Sequence, residues 1–381
     1  MKKKTIIAIL LIAVVAIAGY FIWKSKDVTE DPTKAPIKVG AILPLSGDVA
    51  VYGKGLQNGM DLALEEYKKQ NKNSPDIQII YEDSKADPKT AVTIFQKLMS
   101  VDKCNLITGG FSSSEALSIA PIAEQNKIVF ISPTASSPSI TTAGDYIFRT
   151  TPSDNFDGDV MARFAFNYLK LKKVSILFIN NEYGQGISKV FKERFEALGG
   201  SIPVEKSFNA NSTDFKTQLS SIKSTNSDGL YVIAVSELGT ILKQKTELGL
   251  KEKVLTVGLA ENPKVIEIAG KNLDPVFYSY PSFQVTNENL VVKSFVDNYK
   301  QKYATEPDVL GAYGYDLMNI IIKSLQNSNY DQSKLKDALY GIQNFQGVTG
   351  ETSFDKNGDV TKTAGIKKII NGKFEWEINK F

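Results

Sequence analysis

From residue 37 onward, short apolar runs alternate with stretches in which apolar residues recur at helical spacing. Residues 37–43 (IKVGAIL) read as a strand, and Leu56, Met60, Leu62, Ala63, Leu64 and Tyr67 place a helix over 56–69. Strands at 77–82, 105–108 and 128–132 then alternate with helices at 88–100 and 114–125. This alternation predicts a parallel sheet covered on both faces. A second series repeats it, with strands at 173–180, 202–207, 229–235 and 253–257 and helices at 185–198, 214–224 and 237–248. Helical runs at 287–303, 309–327 and 332–341, and short strands near 352–354, 366–370 and 373–378, are too few for a third unit. They are expected to complete the first two. The fold class is therefore α/β, with two doubly wound parallel-sheet lobes between which the chain crosses three times.

The N-terminus has a different pattern. Lys2, Lys3 and Lys4 form a basic segment (1–4), and an apolar run occupies 5–23, long enough to span a membrane. Positive charge ahead of the run places the N-terminus in the cytoplasm, and Tyr20, Phe21 and Trp23 suit an interfacial belt. An uncleaved transmembrane anchor is expected, with the rest of the chain extracytoplasmic. The rival is a secretory signal, because Ala16-Ile17-Ala18 fits a small-x-small cleavage site, which would release a secreted or periplasmic protein. Residues 24–36, polar and holding two prolines, read as a tether.

Composition narrows the function. Of 45 Lys and Arg, three are the N-terminal lysines, which leaves 42 against 42 Asp and Glu and no electrostatic footprint for nucleic acid. With one cysteine and no histidine, an internal disulfide, Cys/His zinc sites and Ser-His-Asp or Cys-His catalysis are all excluded. Cys104 reads as a buried strand residue, and no cofactor is expected.

Two hydroxyl-rich turns carry the strongest functional signal. Gly110-Phe-Ser-Ser-Ser114 and Ser132-Pro-Thr-Ala-Ser-Ser137 each follow an apolar strand, so in a parallel sheet both open on one crevice. Backbone N–H groups at the helix start near Ser113 suit a carboxylate. Ser112-x-x-Glu115 is equally a capping box that needs no ligand, and the two roles are compatible. Gly53-x-Gly55-x-x-x-Gly59 has the wrong spacing for a dinucleotide loop. Tyr52 beside it reads as core or cleft wall. Asn180 to Gly186 forms a turn after the second series' first strand, making Tyr183 a candidate contact. Asp355-Lys-Asn-Gly-Asp359 lacks calcium-loop spacing and reads as a hairpin turn.

Taken with Gly40 to Gly47 (GAILPLSG), Asp83, Asp87-Pro88, Ala120 to Glu124, Phe148-Arg-Thr150 and Glu182-Tyr-Gly184, these segments give 37–381 its family likeness. The chain resembles the type I periplasmic solute-binding proteins, in particular the branched-chain amino-acid-binding branch. The resemblance implies a clamshell with hinges near 150–155, 279–284 and 345–350. Lobe 1 then comprises 37–153 and 281–346, and lobe 2 comprises 154–280 and 347–381. It implies that Ser113 and the Thr134-Ala135-Ser136 stretch hold a ligand carboxylate, that Tyr52 and Tyr183 line the cleft, and that Phe111 and Ser112 lie beside them. A second-lobe acid would take an ammonium; here Gly258 to Asn262 is a short loop in which Ala260 or Glu261 fills that place, with Glu237 the weaker substitute.

The implied function is an extracytoplasmic substrate-binding receptor of an ABC importer. Its ligand would be an amino acid or similar small carboxylate, its partners a permease and its ATPase, and its state monomeric. The runner-up is a sensor ectodomain, which would need a separate signalling partner because no signalling module follows the last strand. An enzyme ranks third, since no nucleophile–base pair is discernible.

Overall fold

The computed structural model describes residues 36–381 apart from 271–274, 282 and 380. Among the described residues no helix is long and apolar enough to cross a membrane. The anchor expected over 5–23 and the basic segment 1–4 lie outside them, as does the tether except Pro36.

Five parallel strands form the first sheet: β1 (Ile37–Leu43), β2 (Ile77–Asp83), β3 (Leu106–Gly109), β4 (Val129–Ser132) and β5 (Ile147–Arg149), in the order β2-β1-β3-β4-β5. Helices α1 (Ala50–Gln70), α2 (Pro88–Ser100) and α3 (Ser113–Asn126) make the crossovers. β1 is buried almost throughout, as a strand covered on both faces must be. Val39, Ala41 and Leu43 pack with Leu56 and Met60 of α1, whereas Ile42 packs with Phe95 of α2 and Ile119 of α3. α2 starts where Asp87 accepts a hydrogen bond from Thr90 N at 2.8 Å with Pro88 at its first position. Cys104 is buried, and that burial pushes its thiol up to about 11.

After α4 (Asp154–Arg163) and a π-helical turn (Phe164–Tyr168), the second sheet opens with β6 (Val174–Ile179). β7 (Glu205–Phe208), β8 (Gly229–Ile233), β9 (Lys253–Thr256) and β10 (Val276–Pro281) follow, and with β6 they repeat the first sheet's strand order as β7-β6-β8-β9-β10. The helices between them are α5 (Glu182–Ala197), α6 (Lys216–Lys223), α7 (Leu238–Glu247) and α8 (Pro263–Ala269). The chain then returns to the first sheet as α9 (Leu290–Tyr303), α10 (Val309–Asn327) and α11 (Leu335–Tyr340). The short hairpin β11 (Phe345–Gly347) and β12 (Gly350–Thr352) comes next, before β13 (Ala364–Ile370) and β14 (Lys373–Ile378) add antiparallel to the far edge of the second sheet.

Most expected elements form within a few residues of their predicted bounds. α4, α8 and β5 were not expected, and β10 and β11 fall at the expected hinges near 279–284 and 345–350. β5 spans three residues, too few to show a period.

The glycines of Gly53-x-Gly55-x-x-x-Gly59 lie inside α1 and have a packing purpose. A Cβ on Gly59 would sit 2.0 Å from the Gly311 carbonyl oxygen of α10, and one on Gly314 would sit 2.1 Å from the Leu56 oxygen. The two helices therefore touch backbone to backbone, which clamps the returning helices onto the first lobe.

The segment after the expected third hinge, 345–350, still packs against the first sheet's elements. Phe354 packs edge-on to Phe148 at 5.5 Å, and Asp359 pairs with Arg149 of β5, so residues up to Val360 stay on the first sheet's side. Side-chain pairing with β5 and α10 holds them there: Asp316 accepts from the backbone of Val348 and Thr349, and buried Lys362 donates to Thr349 Oγ1. The segment 355–359 is a hairpin turn, closed by the Phe354–Val360 bridge and by Asp355 accepting from Asn357 N and Asp359 N.

Candidate functional site

The parallel strands of both sheets turn their C-terminal ends toward one cavity of about 130 Å³. The loops after β3 and β4 supply Phe111, Ser112, Ser113, Thr134 and Ser136. Across from them, the loops after β6, β8 and β9 supply Asn181, Tyr183, Val235, Gly258 and Leu259. All three crossings also reach the wall, through Thr151 and Pro152, through Ser279 to Pro281, and through Thr363 and Ala364. A ligand here would touch both sheets and every connection between them.

Local hydrogen bonding sets the hydroxyl turns. Ser112 caps α3 by accepting from Glu115 N at 3.2 Å, while Glu115 Oε2 accepts from Ser112 N at 2.8 Å, which is the reciprocal capping box. Ser113 is buried, and its hydroxyl oxygen accepts from Ser137 N at 3.1 Å. Thr134 Oγ1 donates to the Phe111 carbonyl at 2.8 Å. Ser132 Oγ donates to Gly110 O and accepts from Ala135 N, tying the two turns together. Beneath them Arg149, fully buried, donates to the carbonyls of Ser136 and Ser137 and to Thr141, and pairs with Asp359 at 2.7 Å. The DKNGD turn thus supplies the counter-charge that holds the cavity's second loop. The N-terminus of α3, with the Ser113 hydroxyl beside it, opens on the cavity as an anion site would, while the Ser112 hydroxyl donates to Glu115 Oε2 at 2.9 Å.

Six of the nine expected site residues wall the cavity: Phe111, Ser112, Ser113, Thr134, Ser136 and Tyr183. Tyr52 lies one layer behind. Its ring stacks on Phe111 with centroids 5.7 Å apart, and its hydroxyl accepts from Asn262 Nδ2 at 3.3 Å, joining α1 to the loop after β9. Ala135 is buried behind the wall.

Glu261 lies outside the wall. It is paired with Lys367 and accepts from Tyr278 O–H at 2.8 Å, so its charge is met inside the second lobe. Ala260 is buried outside the wall, and Glu237 accepts from Asn211 N and Val235 N, which makes it a loop brace. The sequence could not show that β13, entering from more than a hundred residues away, delivers Lys367 to Glu261.

The acids that do wall the cavity, Asp154 and Asp157 in the first turn of α4, were missed, as were Asn181, Tyr280 and Tyr313. Asp after an N-cap serine is an ordinary helix-start pattern. Their one signal was position, Asp154 at the end of the expected first hinge and Asp157 just past it. Burial pushes the Asp157 carboxyl up to about 6 and Asp154 well above the carboxylate range; the neighbouring Asp157 charge adds to the latter, and the Ser136 hydroxyl and Arg149 partly oppose it. Burial, and next to it the Asp154 charge, holds the Tyr183 hydroxyl neutral.

Comparison with known proteins agrees with this architecture. Residues 36–373 match the model of the periplasmic binding protein family, and the chain belongs to that family. The leucine-, isoleucine-, valine-, threonine- and alanine-binding protein of Pseudomonas aeruginosa is 28% identical over 381 residues, covering 99% of this chain and 97% of that protein. A leucine-binding protein from Thermotoga maritima superposes with a TM-score of 0.83 at 28% identity, covering 90% of this chain and 97% of its own. A branched-chain amino acid transporter substrate-binding protein from Streptococcus pneumoniae, solved with isoleucine, gives 0.82 at 27% identity, covering 91% of this chain and 100% of its own. The chain is accordingly a substrate-binding receptor and not an enzyme.

Proposed function

We propose that this chain is the extracytoplasmic receptor of an ABC importer for an amino acid, handing its cargo to a permease driven by a separate ATPase. The observation that carries the reading is the cavity between the two sheet edges, where the α3 N-terminus and the Ser113 hydroxyl, whose proton no neighbour among the described residues takes, face apolar Phe111, Val235, Leu259, Val309 and Leu310. That pairing suits a carboxylate on a small apolar body. Relatives whose names specify leucine, isoleucine, valine, threonine or alanine support the amino-acid class.

Lobe 1 is taken as 37–153 and 281 to about 362, lobe 2 as 154–280 and about 363–381, a reading supported by the Arg149–Asp359 and Lys362–Thr349 contacts on the first lobe's side. The lobes work as a monomeric clamshell tethered by the apolar segment 5–23. Phe111, Ser112, Ser113, Thr134, Ser136 and Tyr183 contact the ligand, and Tyr52 supports Phe111. Closure is driven only by groups that bind better in the closed form.

The test is mass spectrometry of whatever co-purifies with the full-length protein in mild detergent, followed by calorimetric titration with L-leucine, L-isoleucine, L-valine, L-threonine and L-alanine. Binding of at least one at micromolar affinity or tighter, about 8 kcal/mol or more, is expected. Absence of binding to all five would remove the amino-acid reading.

A further inference from the structure

Among the described residues that wall the cavity none is basic, and two are acidic. Asp154 is 1% exposed, and its Oδ2 is buried without a hydrogen-bond partner. Asp157 stands three residues on, on the same side of α4, and faces the same space. A helix dipole accounts for acids at an exposed helix start, but not for an unpartnered carboxylate oxygen buried at a cavity wall.

The surrounding groups leave that charge unmet. Ser136 and Arg149 flank Asp154, Ser279 of β10 reaches Asp157, and Tyr183, Tyr231 and Tyr313 close in from α5, β8 and α10. Arg149 is the one cation among them, and it is already engaged by Asp359 and by the carbonyls of Ser136 and Ser137. A buried carboxylate without a partner is costly until a cation joins it. Glu261, the acid expected for the purpose, is held by Lys367 and Tyr278.

We propose that Asp154 and Asp157 together form the subsite that takes the ligand's ammonium group, while the N-terminus of α3 takes its carboxylate. The pair selects α-amino acids over their deaminated counterparts. This rests on the amino-acid reading above and names the part of the site that reading left unassigned.

The test uses full-length wild type, Asp154→Asn, Asp157→Asn and Glu261→Gln, titrated calorimetrically with L-leucine, L-isoleucine, L-valine, L-threonine and L-alanine, each beside its 2-oxo acid. Ligand-free melting curves verify that each variant is folded. Wild type should bind at least one amino acid at least thirtyfold tighter than the matching 2-oxo acid. Asp157→Asn should lose at least thirtyfold for the amino acid and bind the 2-oxo acid no worse, and Glu261→Gln should stay within threefold of wild type for the amino acid. If folded Asp154→Asn and Asp157→Asn both hold the amino acid within threefold of wild type, or Glu261→Gln loses it, the subsite is wrong and the amino-acid reading stands. Binding of 2-oxo acids alone, or of none of the ten compounds, overturns both.

Discussion

Hydroxyl groups at the α3 N-terminus carry the clearest single-residue consequence. Ser113 is buried at the cavity wall with its oxygen accepting from Ser137 N, which leaves its proton for a ligand carboxylate. Ser113→Ala is expected to weaken amino-acid binding by about 1.5–3 kcal/mol, the range for a hydrogen bond to a charged group, with a smaller change in ligand-free stability. Calorimetry beside denaturant titration separates the two effects; normal binding with a large stability loss would reduce Ser113 to a loop brace. Ser113 was legible in the sequence because a strand, a hydroxyl run and a capping box fall in order. Asp157 was not, since nothing local distinguishes a helix-start acid facing water from one facing a cavity.

Elements set how the two lobes meet. In α5 a Cβ on Gly186 would lie 2.9 Å from Pro138 Cδ and 3.3 Å from Ser137 Oγ, so this helix of the second lobe meets the first lobe's loop without room for a methyl group. Gly186→Ala is expected to prop the lobes apart and weaken ligand binding by about 1–3 kcal/mol, the usual cost of overpacking. Ligand-free stability should hold or rise, because alanine favours helix by about 1 kcal/mol over glycine. Equal affinity for wild type and variant would show that this contact is not part of closure. On the first lobe, Asp359→Ala leaves fully buried Arg149 without its counter-charge and should cost about 3–5 kcal/mol in chemical denaturation. A cost under about 1 kcal/mol would mean the carbonyls of Ser136 and Ser137 suffice to hold the guanidinium.

For the whole molecule, ligand and pH act on the same equilibrium. A ligand at a hundred times its dissociation constant should stabilise the native state by about 2.7 kcal/mol, read as a rise in melting temperature. The Asp157 carboxyl titrates at about 6 in the fold against an ordinary 3.8, so between those values the native state holds a proton that the unfolded chain has released. Its contribution to ligand-free stability is therefore full below pH 3.8 and is lost as pH rises through about 6. Amino-acid binding should run the other way and tighten through the same window, as the carboxylate that meets the ammonium forms. Melting temperatures of wild type and Asp157→Asn across pH 4 to 7 check this: the wild-type curve should fall relative to the variant's, and parallel curves would rule out titration of Asp157.

Periodicity by itself determined that two α/β lobes of similar build follow one another and that two hydroxyl turns share one sheet edge. Such features repeat every few residues and need no partner distant in the chain. Glu261 shows where local reading stops: its environment depends on Lys367 of β13, and only the last antiparallel addition to the second sheet brings the two together. The buried Arg149 likewise finds its counter-charge in Asp359, 210 residues away. Which acids face the ligand and which are neutralised within a lobe is decided by burial and charge pairing between segments remote in sequence, and that is a property of the tertiary structure alone.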